Sequence, residues 1–172
     1  MKKKYLFISI IIAACLAFYF WPRQKGYIEI DTSGIPATLR LHHGPFSRTT
    51  VFSSRRPSAV RVDLYSPKWL QLRGRQDGDT WQIDGRGPWG RLERIEVRKD
   101  ETIVLKLGPP LLIKTNVTNR GSQVLIAFTI IGQAGERYSN VITKNGRRVS
   151  TPELKIIDEG GKVLAAGRFQ YG

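Results

Sequence analysis

The chain is poor in the residues that usually carry chemistry. It has one cysteine, one methionine and two histidines in 172 residues. The cysteine, Cys15, lies in an apolar leader, so the remainder has no internal disulfide and no thiolate site. Such a chain tolerates an oxidising compartment without depending on it. The two histidines, His42 and His43, are adjacent. Neighbours on a strand point to opposite faces, so the pair cannot easily share a metal, and no further ligand lies at a suitable spacing. They read as a strand-end pair. No G-x-S-x-G elbow and no phosphate-cradling loop occurs. Asp77-Gly78-Asp79 with Asp84 suggests a calcium loop only superficially. Calcium wants six to eight oxygens, whereas Trp81 and Ile83 intervene and no glutamate closes the loop. Carboxylate pairs brought together by the fold are the one catalytic arrangement the sequence leaves open. The expectation is a protein that is not an enzyme and holds no metal or cofactor.

Acidic residues are also scarce, 14 against 28 Lys and Arg, for a net charge of +14. The excess is spread along the chain, with only Arg55-Arg56 and Arg147-Arg148 as doublets. A nucleic-acid binder gathers its cations on one face, so no specific nucleic-acid partner is expected. A generally basic surface instead favours anionic lipid or polysaccharide.

What is present begins with MKKKYLFISIIIAACLAFYFW. Tyr5 to Trp21 is an uncharged run of 17 residues. As a helix it would span roughly 26 Å, slightly short of a ~30 Å hydrocarbon core. Lys2, Lys3 and Lys4 precede it and favour a cytoplasmic N-terminus. A cleaved secretory signal would need a small-residue site at the end of the apolar run, but Ala13-Ala14 is followed by more apolar chain. Ile12-Ala13-Ala14-Cys15 resembles the bacterial lipobox, which would make Cys15 a lipid attachment point. Lipoprotein cysteines are followed by a polar tether, however, and here Leu16 to Trp21 continue the span. The expectation is an uncleaved signal-anchor, single-pass, with residues 5–21 in the membrane and the C-terminal domain outside the cytoplasm. Lipidation at Cys15 is the alternative.

After Gly26 the pattern changes to period two. Ile28 and Ile30 alternate with Glu29 and Asp31, and Leu39 and Leu41 with Arg40 and His42. Val60, Val62 and Leu64 are expected inward, with Arg61, Asp63 and Tyr65 outward. Leu70 and Leu72, Trp81 and Ile83, Ile95 and Val97, then Ile103, Leu105 and Leu107 continue the pattern. Asp77-Gly78 and Asp84-Gly85 read as hairpin turns. The fold class predicted is all-β, an N-terminal transmembrane helix followed by β-sandwich modules. Gly108-Pro109-Pro110 removes two backbone donors and marks a boundary. The organisation expected is 1–25 as anchor and linker, 26–107 as a β-sandwich module and 108–172 as a second, immunoglobulin-like module. Strands are expected over Leu111–Val117, Val124–Ile131, Leu154–Ile157 and Val163–Ala166, with turns at Asn145-Gly146 and Gly160-Gly161.

The run from LKLGPPLLIKTNV through PELKIIDEGGKVLAAGRFQYG resembles the tail of certain uncharacterised, membrane-anchored bacterial envelope proteins. These carry immunoglobulin-like or carboxypeptidase-regulatory-like β-sandwich modules. The resemblance covers about the last third of the chain and implies a fold and a periplasmic or envelope location, with no activity attached.

Two surfaces stand out. If Leu70 and Leu72 face inward, Trp69, Gln71 and Arg73 share the outward face, suited to stacking on sugar rings or anchoring a protein. Trp89, in Gly87-Pro88-Trp89-Gly90, sits on an expected loop and offers the same. The alternative for both tryptophans is that they cover the other module or the membrane surface. The run Val124–Ile131 is apolar on both faces. Its second stripe, Leu125, Ala127 and Ile131, is therefore expected to be buried at an inter-module interface or in a homodimer. The sequence thus points to a non-catalytic interaction or structural role in the cell envelope. Its partners would be the membrane and a protein or second copy. The alternative is a carbohydrate- or polyanion-binding module using exposed Trp and Arg.

Overall fold

The computed structural model describes residues 24–44, 47–53 and 56–169. The anchor over residues 5–21, with Cys15, lies outside the described residues. Among those described, no helix is long and apolar enough to cross a membrane.

Alternating apolar residues build strands wherever one side can be buried, and the described residues are all-β apart from a single 3-10 turn at Gly90–Leu92. A small sheet joins β1 (Lys25–Asp31), β4 (Ser58–Arg61) and β8 (Thr102–Lys106), with β1 central. β1 runs antiparallel to β4 and parallel to β8, from Tyr27 beside Thr102 to Asp31 beside Lys106. A larger sheet begins with β3 (Ser47–Phe52), β2 (Ala37–His43), β5 (Asp63–Gln76) and β6 (Asp79–Gly85). It continues through β11 (Arg137–Lys144), β10 (Gln123–Ile131) and β9 (Leu112–Arg120). β7 (Ile95–Val97) pairs with the start of β5, and β12 (Arg147–Arg148) with the end of β11. β13 (Glu153–Ile157) and β14 (Val163–Arg168) form a separate hairpin.

The two larger sheets are consistent with a β-sandwich. Ile28, Ile30 and Leu105 of the small sheet join Leu39, Leu41, Leu70, Leu72 and Ile83 of the large one in a single buried cluster. Each such side chain contributes about 1.5–3 kcal/mol by leaving water. Ile130, Ala134 and Tyr138 belong to the same cluster, so residues on both sides of Gly108-Pro109-Pro110 share a core. They share a sheet too, because Tyr138 of β11 lies opposite Gly85 of β6.

Most of the alternation holds, but β5 departs from it. Leu64 is 40 % exposed, whereas Tyr65 is fully buried, the reverse of the expected phase. The cause is a bulge. Arg40 of β2 faces Trp69, while its neighbour Leu41 faces Pro67, so Lys68 is an extra residue. Odd-numbered Tyr65 and Pro67 are buried before the bulge, and even-numbered Leu70 and Leu72 after it. Asp84-Gly85 is likewise no turn. Both residues lie in β6, and Gly85 is buried where a Cβ would stand 3.1 Å from the Arg137 carbonyl oxygen. The glycine lets two strands approach. Asp77-Gly78 and Asn145-Gly146 do close hairpins, all four residues having positive φ.

Candidate functional site

Trp69, Gln71 and Arg73 come together as expected on the outward face of β5. The bulge puts Trp69 opposite Arg40, whose guanidinium carbon sits 4.5 Å from the indole centroid. Gln71 Nε2 donates to Asp84 Oδ1 at 3.2 Å, and Gln82 Nε2 donates to the same oxygen at 3.5 Å. Arg73 Nη2 donates to Gln82 Oε1, also at 3.5 Å. Four strand positions on β5 and β6 thus present flat polar groups in a row beside one half-buried indole. Trp89 is not part of this row. It packs against the core cluster, with its indole Nε1 only 2.9 Å from where a Cβ on Gly87 would stand. Its loop is fixed by Arg137 N–H donating to the Pro88 carbonyl and Arg91 N–H donating to the Ala134 carbonyl.

His43 sits where the bulged strand meets β2. Its Nδ1 lies 3.1 Å from Asp63 Oδ2, and its ring tilts against Tyr65 at 4.9 Å between centroids. The Leu64 backbone N–H bonded to Asp63 holds this carboxyl below the usual range, and His43 adds to the effect. Among the described residues, no group of three or more His, Cys, Asp or Glu is placed to hold a metal ion.

One titratable group was missed in the sequence. Glu136 is fully buried. Its Oε1 accepts from the Gly108 N–H at 2.6 Å and from the Tyr138 hydroxyl at 2.8 Å. Its Oε2 accepts from the Ala134 N–H at 2.9 Å. Burial first, and then the neighbouring Glu136 charge, push the Tyr138 hydroxyl far up from its ordinary value. Gln133 adds two more ties, Nε2 to the Leu107 carbonyl and N–H to the Gly108 carbonyl, both at 3.0 Å. The carboxylate therefore clamps the Leu107–Gly108 corner to the turn before β11. A lone glutamate in a turn sequence gives no signal of this, because its three donors come from the fold.

The third feature is apolar. β9 is exposed at all nine positions, and the first half of β10 is nearly so. Leu112, Ile113, Val117, Val124 and Leu125 are each more than half exposed. Leu125, expected beneath the first module, is 55 % exposed, and Ala127 is exposed as well. The reason is that β9 and β10 splay away from β11 as an arm. β10 pairs with β11 only through Ile130 and Ile131, so nothing in the first module reaches Leu125. Ile131, at the root of the arm, is half-buried. On the other face the β13–β14 hairpin is attached by Phe169, which meets Phe128 edge-on at 4.7 Å. Between hairpin and arm runs an open groove of about 470 Å³, bordered by Val124, Ile126, Leu154, Ile156 and Ala165.

No family model, no curated protein and no solved structure matches this chain.

Proposed function

We propose that this chain is a non-catalytic interaction module of the cell envelope, tethered by residues 5–21 and exposing its β-sandwich outside the cytoplasm. The observation that carries the reading is the arm. Large aliphatic residues more than half exposed on both faces of two adjacent strands, Leu112 and Leu125 on one and Ile113, Val117 and Val124 on the other, are the kind of surface that marks an interaction site. Capture from detergent-solubilised native membranes tests the reading. A partner retained by the natural chain should be lost from Leu125→Asp, whose fold is intact by circular dichroism. Capture unaffected by Leu125→Asp and Leu112→Asp removes the arm from consideration. The tether is checked separately by intact mass, which should retain residues 1–21. A species beginning at a lipid-modified Cys15 overturns it.

A second reading rests on the row around Trp69. One indole flanked by Arg40, Gln71 and Arg73 offers a stacking surface and planar donors, the groups that hold sugar rings or polyanions. Soluble envelope polysaccharide should then quench tryptophan fluorescence in the natural chain, and Trp69→Ala should abolish the response. Trp89→Phe should not.

A further inference from the structure

Resting on the interaction reading, we infer that the arm's occupant is a second copy of this chain, joined antiparallel through β9. β9 ends the large sheet and pairs with β10 alone. The other strands that end a sheet are shorter, six residues in β3, four in β4 and five in β8. Proteins keep edge strands short, bulged or proline-broken, because an unpaired edge invites another strand. β9 is neither short, bulged nor proline-broken, and its charges are confined to Lys114 and the terminal Arg120. Its register against β10 runs unbroken from Leu112 opposite Ile131 to Arg120 opposite Gln123, with no proline. Aliphatic residues are exposed on both of its faces, Leu112 on one and Ile113 and Val117 on the other. A surface that is unfinished on both faces and along its backbone edge is missing a strand.

The sequence of β9 suits its own copy. With a twofold axis through Asn116, Leu112 faces Arg120, Ile113 faces Asn119, Lys114 faces Thr118 and Thr115 faces Val117. No cation meets a cation. Parallel pairing in register would instead set Lys114 on Lys114 and Arg120 on Arg120. Nine antiparallel pairs exchange about nine backbone hydrogen bonds over roughly 30 Å, close to the ~10 of a standard protein interface. On one face Ile113 then lies diagonal to Val117 of the other copy, and on the other Leu112 packs along the stem of Arg120. Confinement of both copies to one membrane raises their effective concentration and favours the pairing further.

Cysteine cross-linking of the full chain in detergent, in a Cys15→Ser background, tests the register. Asn116→Cys should yield a disulfide-linked dimer on mild oxidation. Lys114→Cys should link poorly alone and well when mixed with Thr118→Cys. By sedimentation, Asn116→Lys should weaken association at least about tenfold by setting like charges on the axis, while Asn116→Thr should not. A monomer at all concentrations overturns the inference. So does a dimer insensitive to Asn116→Lys, or one that does not link through Asn116→Cys. A monomer that still loses its captured partner on Leu125→Asp leaves the interaction reading standing and assigns the edge to a foreign strand.

Discussion

Glu136 shows how much one buried side chain can hold. Its three donors come from the Gly108 corner, the Ala134 turn and Tyr138 of β11, so removing the carboxylate strands them together. Each unsatisfied buried donor costs about 1–3 kcal/mol. Glu136→Gln keeps the shape but turns an amide N–H toward one donor, and should cost about 1–3 kcal/mol. Glu136→Leu should cost at least twice as much, lowering the thermal midpoint by roughly 6–12 °C for a chain of this size. Calorimetry of the two variants checks the ratio. Gly132 belongs to the same construction, since a Cβ there would come within 2.0 Å of Glu136 Oε1. Two lowered carboxyls tie stability to acid pH. Lys144, donating to Asp79 at 2.6 Å, holds that carboxyl below its usual range, and Asn145 assists. Asp63 is lowered by the Leu64 N–H and then His43. A carboxyl depressed in the folded state stabilises above its unfolded pKa and loses that contribution as pH falls through the folded value. Denaturation midpoints should therefore decline below about pH 4, and Asp79→Asn should flatten part of that decline.

At the scale of the element, the arm behaves differently from the sandwich. Leu125 is surrounded by solvent in a single chain, so Leu125→Asp should change unfolding free energy by no more than about 0.5 kcal/mol in the monomer. A larger loss, measured by urea titration at low concentration, would mean that the residue is covered. The β13–β14 hairpin rests on the Phe128–Phe169 contact, and such aromatic pairs contribute about 0.5–1.5 kcal/mol. Phe169→Ala should raise hydrogen exchange across Glu153–Arg168 while leaving the core strands protected. Alternation made β1, β2, β7 and β8 legible in the sequence, because each has one buried face and one wet one. Asp77-Gly78 and Asn145-Gly146 were legible through their turn chemistry. β5 misled at Leu64 and Tyr65 because a bulge reverses phase without leaving a compositional mark. β11 was silent because Arg137–Lys144 mixes polar and apolar residues on both faces, and its place is set by β6. The row of Trp69, Gln71 and Arg73 could be anticipated from Leu70 and Leu72. Glu136 could not, and Leu125 is left uncovered within the single chain because two-faced apolarity says that a cover is needed without saying which chain supplies it.

At the scale of the whole molecule, one buried cluster extends from Ile28 to Tyr138, and its strands should melt in a single calorimetric transition. The diffuse charge of +14 should give weak binding to duplex DNA that falls steeply with salt and shows no sequence preference. Tight, selective binding at physiological salt would contradict the distributed surface. The parallel pairing of β1 with β8 has a further consequence, for assembly. Tyr27 is opposite Thr102, and Lys25 is opposite Arg61 on the other side. As the chain is made from its N-terminus, β1 is among the first segments of the sandwich to appear, and its parallel partner follows some 75 residues later. Pairs so distant in sequence form slowly, because the loop between them must close first. β1 therefore waits as a lone strand between two empty slots, with Glu29 and Asp31 alternating with its isoleucines. Charges at every second position discourage stray pairing during that interval. This strand is thus made early and stitched in late, so its insertion should set the pace of folding.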